Sequence, residues 1–129
     1  MTNLTRVTFA IFALLLTHML AIVTGWYEAH EWFDIPMHFA GGVIMTWLAL
    51  ALWHQFIMKL VFKPGCSARY QVLVQATIIL GFVALIGIVW EGYEWVFVSQ
   101  AMTLGDTLAD LWFDLFGAVC ALATRRNHV

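Results

Sequence analysis

The sequence predicts an all-α protein, a four-transmembrane-helix bundle with its two ends on the cytoplasmic side (N-in, C-in). Two observations carry that expectation. Of 129 residues 63% are hydrophobic and only 11% charged, a balance that excludes an ordinary water-soluble domain. The charges also separate by sign. Arg6, Lys59, Lys63, Arg69, Arg125 and Arg126 fall ahead of the first apolar stretch, in the central connection, and after the last stretch. Glu28, Glu31, Asp34, Glu91, Glu94, Asp106, Asp110 and Asp114 fall in or beside the other two connections. Lys and Arg gather on the cytoplasmic side of membrane proteins, which fixes the orientation. Acids contribute little to that rule, so their confinement to the far side needs another cause.

A membrane helix takes about 20 apolar residues. Four stretches approach or exceed that length within one integral membrane domain, 1–129: approximately 7–26, 37–58, 72–97 and 107–123. The first follows Arg6 as a signal peptide would. However, Thr24-Gly25-Trp26 offers no small-x-small cleavage site, and His18 interrupts the apolar run, so it is expected to stay as a span. Trp26, Tyr27 and Trp32 suit interfacial anchors. The connection 27–35 ends in Asp34-Ile35-Pro36, where proline fits the first helical position and the preceding Asp a cap. Glu28 and Glu31 are expected to be solvated. The connection 59–69 carries the turn signal Pro64-Gly65. The third span is longer than a bilayer needs and should tilt or project. Asp106, after Gly105, is placed to cap the fourth. Cys66 and Cys120 fall on the cytoplasmic side, where a disulfide is not expected.

Helical spacing decides which polar groups can meet. Asp106, Asp110 and Asp114 recur every four residues and share a face continued by Gly117, Ala118 and Ala121. Glu91 and Glu94 follow Gly81, Ala84 and Gly87; His38 precedes Gly41, Gly42 and Met45; His18 aligns with Ala21 and Gly25. Small residues mark the faces on which membrane helices approach closely, so these polar groups should point into the bundle. His18, His38, Glu91, Glu94, Asp110 and Asp114 are then expected in one neighbourhood, one to three turns below the outer surface. His54 and His128 are read as an interfacial and a tail residue. His30 would align with Asp34 and His38 only if its connection were helical.

Carboxylates crowded in low dielectric without Lys or Arg cannot all ionise without a counter-charge. They can be protonated and hydrogen-bonded, can form a proton or cation pathway, or can hold a metal. The mixture of His with Asp and Glu favours a divalent metal such as Zn, Mn or Fe. The expected ligands are His38, Glu91, Asp110 and Asp114, with His18, Asp34 and Asp106 as possible additions and Glu94 as the catalytic base.

Three blocks resemble the VanZ-like superfamily of small bacterial membrane proteins, in particular its YjdF-type members. They are Asp34-Ile-Pro-Met-His38-Phe-Ala-Gly41-Gly42, Trp90-Glu91-Gly-Tyr-Glu94-Trp95, and Gly105-Asp106-Thr-Leu-Ala-Asp110-Leu-Trp-Phe-Asp114-Leu-Phe-Gly117. The resemblance covers the outer halves of three spans and implies a multi-pass protein of the bacterial cytoplasmic (inner) membrane, linked to the cell envelope. It supplies no activity. Lipoprotein signal peptidases, which also have four helices and two outer aspartates, are set aside because the only asparagines are Asn3 and Asn127.

The expected function is that of a cell-envelope protein with an outward-facing intramembrane metal site, a metal-dependent hydrolase acting on a lipid-linked or envelope substrate. The alternative is a non-catalytic cation-binding or scaffolding protein, or a proton or cation pathway. The expected partners are the lipid bilayer and a lipid-linked substrate. With no basic residue on the outer side, nucleic acid is excluded. Oligomeric state is not written in the sequence.

Overall fold

The computed structural model describes residues 3–63, 65–97 and 103–124. Pro64, the stretch 98–102 of the second acidic connection, Arg125, Arg126 and His128 lie outside the described residues. Helix α1 (Asn3–Val23) stops three residues short of the expected boundary. Gly25 causes the stop: it adopts φ +67, a left-handed conformation that glycine takes without steric cost. Gly25 therefore lies beyond the helix and does not extend the stripe of His18 and Ala21.

The connection after α1 is itself helical. Helix α2 (Trp26–Ala29) and a 3-10 turn (Glu31–Phe33) lead directly into α3 (Asp34–Leu52). Asp34 is not the cap the sequence suggested. Its backbone is already helical, and no side-chain cap bond is made at this terminus. The 3-10 turn starts the helix early, and Pro36 stays in the first turn, where its missing N–H costs no hydrogen bond. One consequence is that Asp34 and His38 are four residues apart on one continuous helix. A π turn (Trp53–Ile57) joins α3 to α4 (Met58–Val61), so the second span runs unbroken over Glu31–Val61.

Helix α5 (Ala68–Phe97) begins before residue 72 because Ser67 Oγ accepts the backbone N–H of Tyr70, an N-cap. Helix α6 (Leu104–Thr124) likewise begins before residue 107. Here Thr103 is the cap: its Oγ1 accepts the Asp106 N–H at 3.2 Å, and Asp106 Oδ2 accepts the Thr103 N–H at 3.1 Å. This reciprocal box places Asp106 at the third helical position and corrects its assignment as N-cap. Gly105 is helical.

Four helical spans, Leu4–Val23, Glu31–Val61, Ala68–Phe97 and Leu104–Thr124, are long and apolar enough to cross a membrane. Phe9, Phe12, Leu16, Leu73, Val89 and Phe116 stand exposed on them. Such outward apolar faces suit hydrocarbon, in which a helix satisfies its own backbone hydrogen bonds. Helix α3 is central and packs on α1, α5 and α6; α5 also packs on α6. The α3–α6 approach depends on two glycines. A Cβ at Gly42 would run into the Asp114 carbonyl, and one at Gly117 into the Phe39 carbonyl.

The inward stripe of α5 is Gln75, Ile79, Val83, Gly87, Glu91 and Glu94. Gly81, expected on it, is exposed with nothing within 4 Å of an added Cβ. Six residues separate Gly81 from Gly87, which turns it about 120° away at the standard helical pitch.

Candidate metal centre

Three helices deliver the site. Helix α3 carries Asp34 and His38, α5 carries Glu91 and Glu94, and α6 carries Asp110 and Asp114. His38, Glu91, Glu94, Asp110 and Asp114 are all buried, and Asp34 is half-buried. The imidazole of His38 sits among them. Its Nε2 lies 3.6 Å from Asp34 Oδ1, 3.8 Å from Glu91 Oε1 and 4.0 Å from Asp110 Oδ1. These separations are too long for good hydrogen bonds. They are close to those of atoms sharing a cation: ligands at about 2.0–2.2 Å from tetrahedral zinc lie roughly 3.3–3.6 Å from one another. Two triads have ligand atoms all within 4.8 Å of one another: Asp34, His38 and Asp110, and His38, Glu91 and Glu94.

Asp114 sits on the other side of the ring, with its Oδ2 3.4 Å from His38 Nδ1. The carboxylate lies where three glycines leave room. A Cβ at Gly41 would come 3.5 Å from Asp114 Oδ1, and one at Gly87 2.6 Å from Oδ2, while Gly42 packs on the Asp114 backbone. The same glycines that let α3 and α5 approach α6 thus seat the aspartate beside the histidine. Sequence spacing placed these glycines on the inner faces; that they enclose one carboxylate is visible only in three dimensions.

Glu91 is 3% exposed, and neither of its carboxylate oxygens makes a hydrogen bond. The Thr107 hydroxyl lies nearby and accepts from Trp95 Nε1 at 3.3 Å, which leaves its own proton to donate. A buried carboxylate left in this state is costly unless a proton or a cation neutralises it. The described basic residues Arg6, Lys59, Lys63 and Arg69 lie at or just beyond the opposite ends of the spans. Among the described residues, five carboxylates therefore face the His38 imidazole with no Lys or Arg beside them.

The remaining expected residues go elsewhere. Asp106 is exposed and occupied by the Thr103 cap. His30 stacks on Trp26 with ring centroids 4.1 Å apart. His18 is buried near the cluster but belongs to neither triad. Its Nδ1 is 2.8 Å from the Tyr27 hydroxyl, its ring meets Trp90 edge-on at 4.8 Å, and its Nε2 is buried without a partner. Tyr27, expected as an interfacial anchor, folds inward because Gly25 reverses the chain. Burial, with Asp34 and Glu94 nearby, holds its phenol well above the usual range, so it stays protonated.

Four apolar spanning helices around a buried His–carboxylate cluster make this a multi-pass integral membrane protein. The chain belongs to the family described as predicted membrane protein (DUF2238), which it matches over residues 2–128. No curated protein and no solved structure matches it.

Proposed function

We propose that this is a metal-binding protein of the bacterial cytoplasmic membrane, with its site opening on the extracytoplasmic side, and that the site hydrolyses a lipid-linked envelope substrate. The observation that carries the metal reading is the ring of Asp34, Glu91 and Asp110 around His38 Nε2, with both buried oxygens of Glu91 lacking a hydrogen bond. His38, Asp34 and Asp110 would hold the ion, with Glu91, which shares the second triad with His38 and Glu94, drawn in as the fourth ligand. Asp114 moves from ligand to positioning residue: a metal-binding histidine commonly gives its other nitrogen to a carboxylate, which fixes tautomer and ring orientation. Imidazole with carboxylates suits Zn, Mn or Fe better than calcium. A bound divalent ion would supply Lewis acidity toward a carbonyl or phosphoryl oxygen. Glu94, one turn from Glu91, is the candidate general base.

The orientation rests on the basic residues at the other end of the bundle. The envelope assignment rests on the VanZ-like, YjdF-type resemblance of the three blocks that carry the site. A second reading, a structural cation lock, is favoured by the burial of the cluster and by its linking three helices. Coordination separates the two: a structural site is closed by protein ligands, and a catalytic one keeps an open position.

The test is element analysis of detergent-purified protein by mass spectrometry. About one equivalent of zinc, manganese or iron is expected, and His38→Phe should remove it. A folded protein that arrives without metal and takes none up on titration would rule the centre out, leaving protonated acids.

A further inference from the structure

A cleft runs beside the cluster between α1 and α5, with α3 as its floor. Ile11 and Leu14 form one wall, Val83 and Ile86 the other, and Gly41 and Gly42 line the floor. All six lie within spanning helices, so the medium available to fill the cleft is lipid hydrocarbon. Gly41 bares the floor between Met37 and Met45, and the cleft is a trough there. From Ile11 to His18 it follows α1 for about 10 Å at the standard helical rise.

The trough ends at His18, Tyr27 and Asp34, beside His38. At that end His18 Nε2 is buried and has no hydrogen-bond partner, while Nδ1 is engaged by the Tyr27 hydroxyl. If the phenol donates to Nδ1, Nε2 carries a proton and needs an acceptor. If the phenol accepts, Nε2 is bare and needs a donor. In both tautomers an apolar trough leads to one unsatisfied polar atom, which is the pattern of an amphiphile site.

We infer that this cleft seats one acyl chain of a neutral or zwitterionic glycerolipid, whose ester or hydroxyl oxygen at the head hydrogen-bonds His18 Nε2. The charge at the mouth selects the head group. Asp34 and Asp114 line the cleft and no Lys or Arg does, so an anionic head would face like charge. The inference deepens the proposed function by naming the class of lipid presented to the metal centre, and it rests on that reading only for the chemistry that follows binding. In this arrangement His18 is a recognition residue and not a metal ligand.

Native mass spectrometry of protein equilibrated with equal amounts of phosphatidylethanolamine and phosphatidylglycerol in mixed micelles tests it, with lipid and metal counted in the same spectra. One retained phosphatidylethanolamine per chain is expected, in excess over phosphatidylglycerol. His18→Phe keeps an aromatic ring but loses the polar nitrogen, and should lower retention about three- to tenfold, the span of one net hydrogen bond. His18→Gln should restore most of it. Leu14→Trp, or Ile86→Trp if the former does not insert, should fill the trough and abolish retention while metal content stays unchanged. Equal retention in all variants, equal retention of the anionic lipid, or a lipid-free pair of chains occupying the cleft would each overturn the inference. Lipid kept while metal is absent would sink the metal centre and leave the lipid site standing; metal kept while lipid is absent would do the reverse.

Discussion

Asp114 Oδ2 stands 3.4 Å from His38 Nδ1, in space left open by Gly41 and Gly87. The pair joins α3 to α6 and turns the opposite nitrogen, Nε2, toward Asp34, Glu91 and Asp110. A carboxylate so placed sets the direction of the imidazole, and the other three carboxylates meet the nitrogen it presents.

This arrangement predicts different outcomes for two aspartates one turn apart. Asp114→Asn keeps an acceptor for His38 Nδ1, so metal should still bind, weakened about 10–100-fold as for other outer partners of a ligating histidine. Asp110→Asn removes a proposed ligand and should leave no stoichiometric metal. Asp106→Asn, on an exposed capping residue, should match the parent. Calorimetric titration with zinc and manganese reads all three. A larger loss from Asp114→Asn than from Asp110→Asn would reverse the assigned roles.

The glycines give a second contrast. Gly42→Ala would press a methyl into the Asp114 carbonyl, whereas Gly81→Ala meets nothing within 4 Å. Backbone cannot move aside as a flexible side chain can, so α3 and α6 must separate. The expected cost is about 1–3 kcal/mol, typical of overpacking, and the site should loosen with it. Thermal unfolding in detergent should show a lowered midpoint for Gly42→Ala and none for Gly81→Ala. Equal midpoints would mean that the α3–α6 contact is looser than described.

Four spans were legible in the sequence because apolar runs of bilayer length need no tertiary information. The inward face of α6 was legible too, since Asp110, Asp114, Gly117, Ala118 and Ala121 follow helical spacing and all are buried. Errors arose where local structure was decided by neighbours. Asp34 looked like a cap because Pro36 follows it, but a 3-10 turn had already started the helix. Thr103, not Asp106, caps α6, and the reciprocal Thr-x-x-Asp box was present to be read. By residue type Gly81 belongs with the inward glycines, but its angular position places it on the lipid side. The Tyr27–His18 contact depends on a chain reversal at Gly25 that spacing alone does not specify.

Orientation is the next expectation. Arg6, Lys59, Lys63 and Arg69 fall at one end of the bundle, and Arg125 and Arg126 follow the last span in the sequence; such residues are retained in the cytoplasm. Reporter fusions at Gly65 and at Asn127 should both read cytoplasmic, and a cysteine introduced at Glu28 should label from outside. An external reading at Gly65 or Asn127 would invert or break the four-span topology and move the candidate metal site to the other face.

Glu91 is the most exacting position. It is buried in α5, far from either helix end that could use it as a cap, and both its oxygens lack hydrogen bonds. As a neutral hydrogen-bonding group it could be replaced by glutamine, which keeps the shape and both donates and accepts. As a cation ligand it could not, because the amide brings no negative charge. Glu91→Gln should therefore insert normally, keep its helical circular dichroism, and lose its metal. Glu91→Leu should also lose metal, and its stability reports separately on the cost of the buried carboxylate: a well-packed apolar residue relieves a desolvated group, so unfolding should be unchanged or slightly harder in the metal-free state. If Glu91→Gln retains full metal while Glu91→Leu is disruptive, the carboxylate is protonated and structural. The metal reading would then fail at its most buried ligand, whatever ions the surface acids collect.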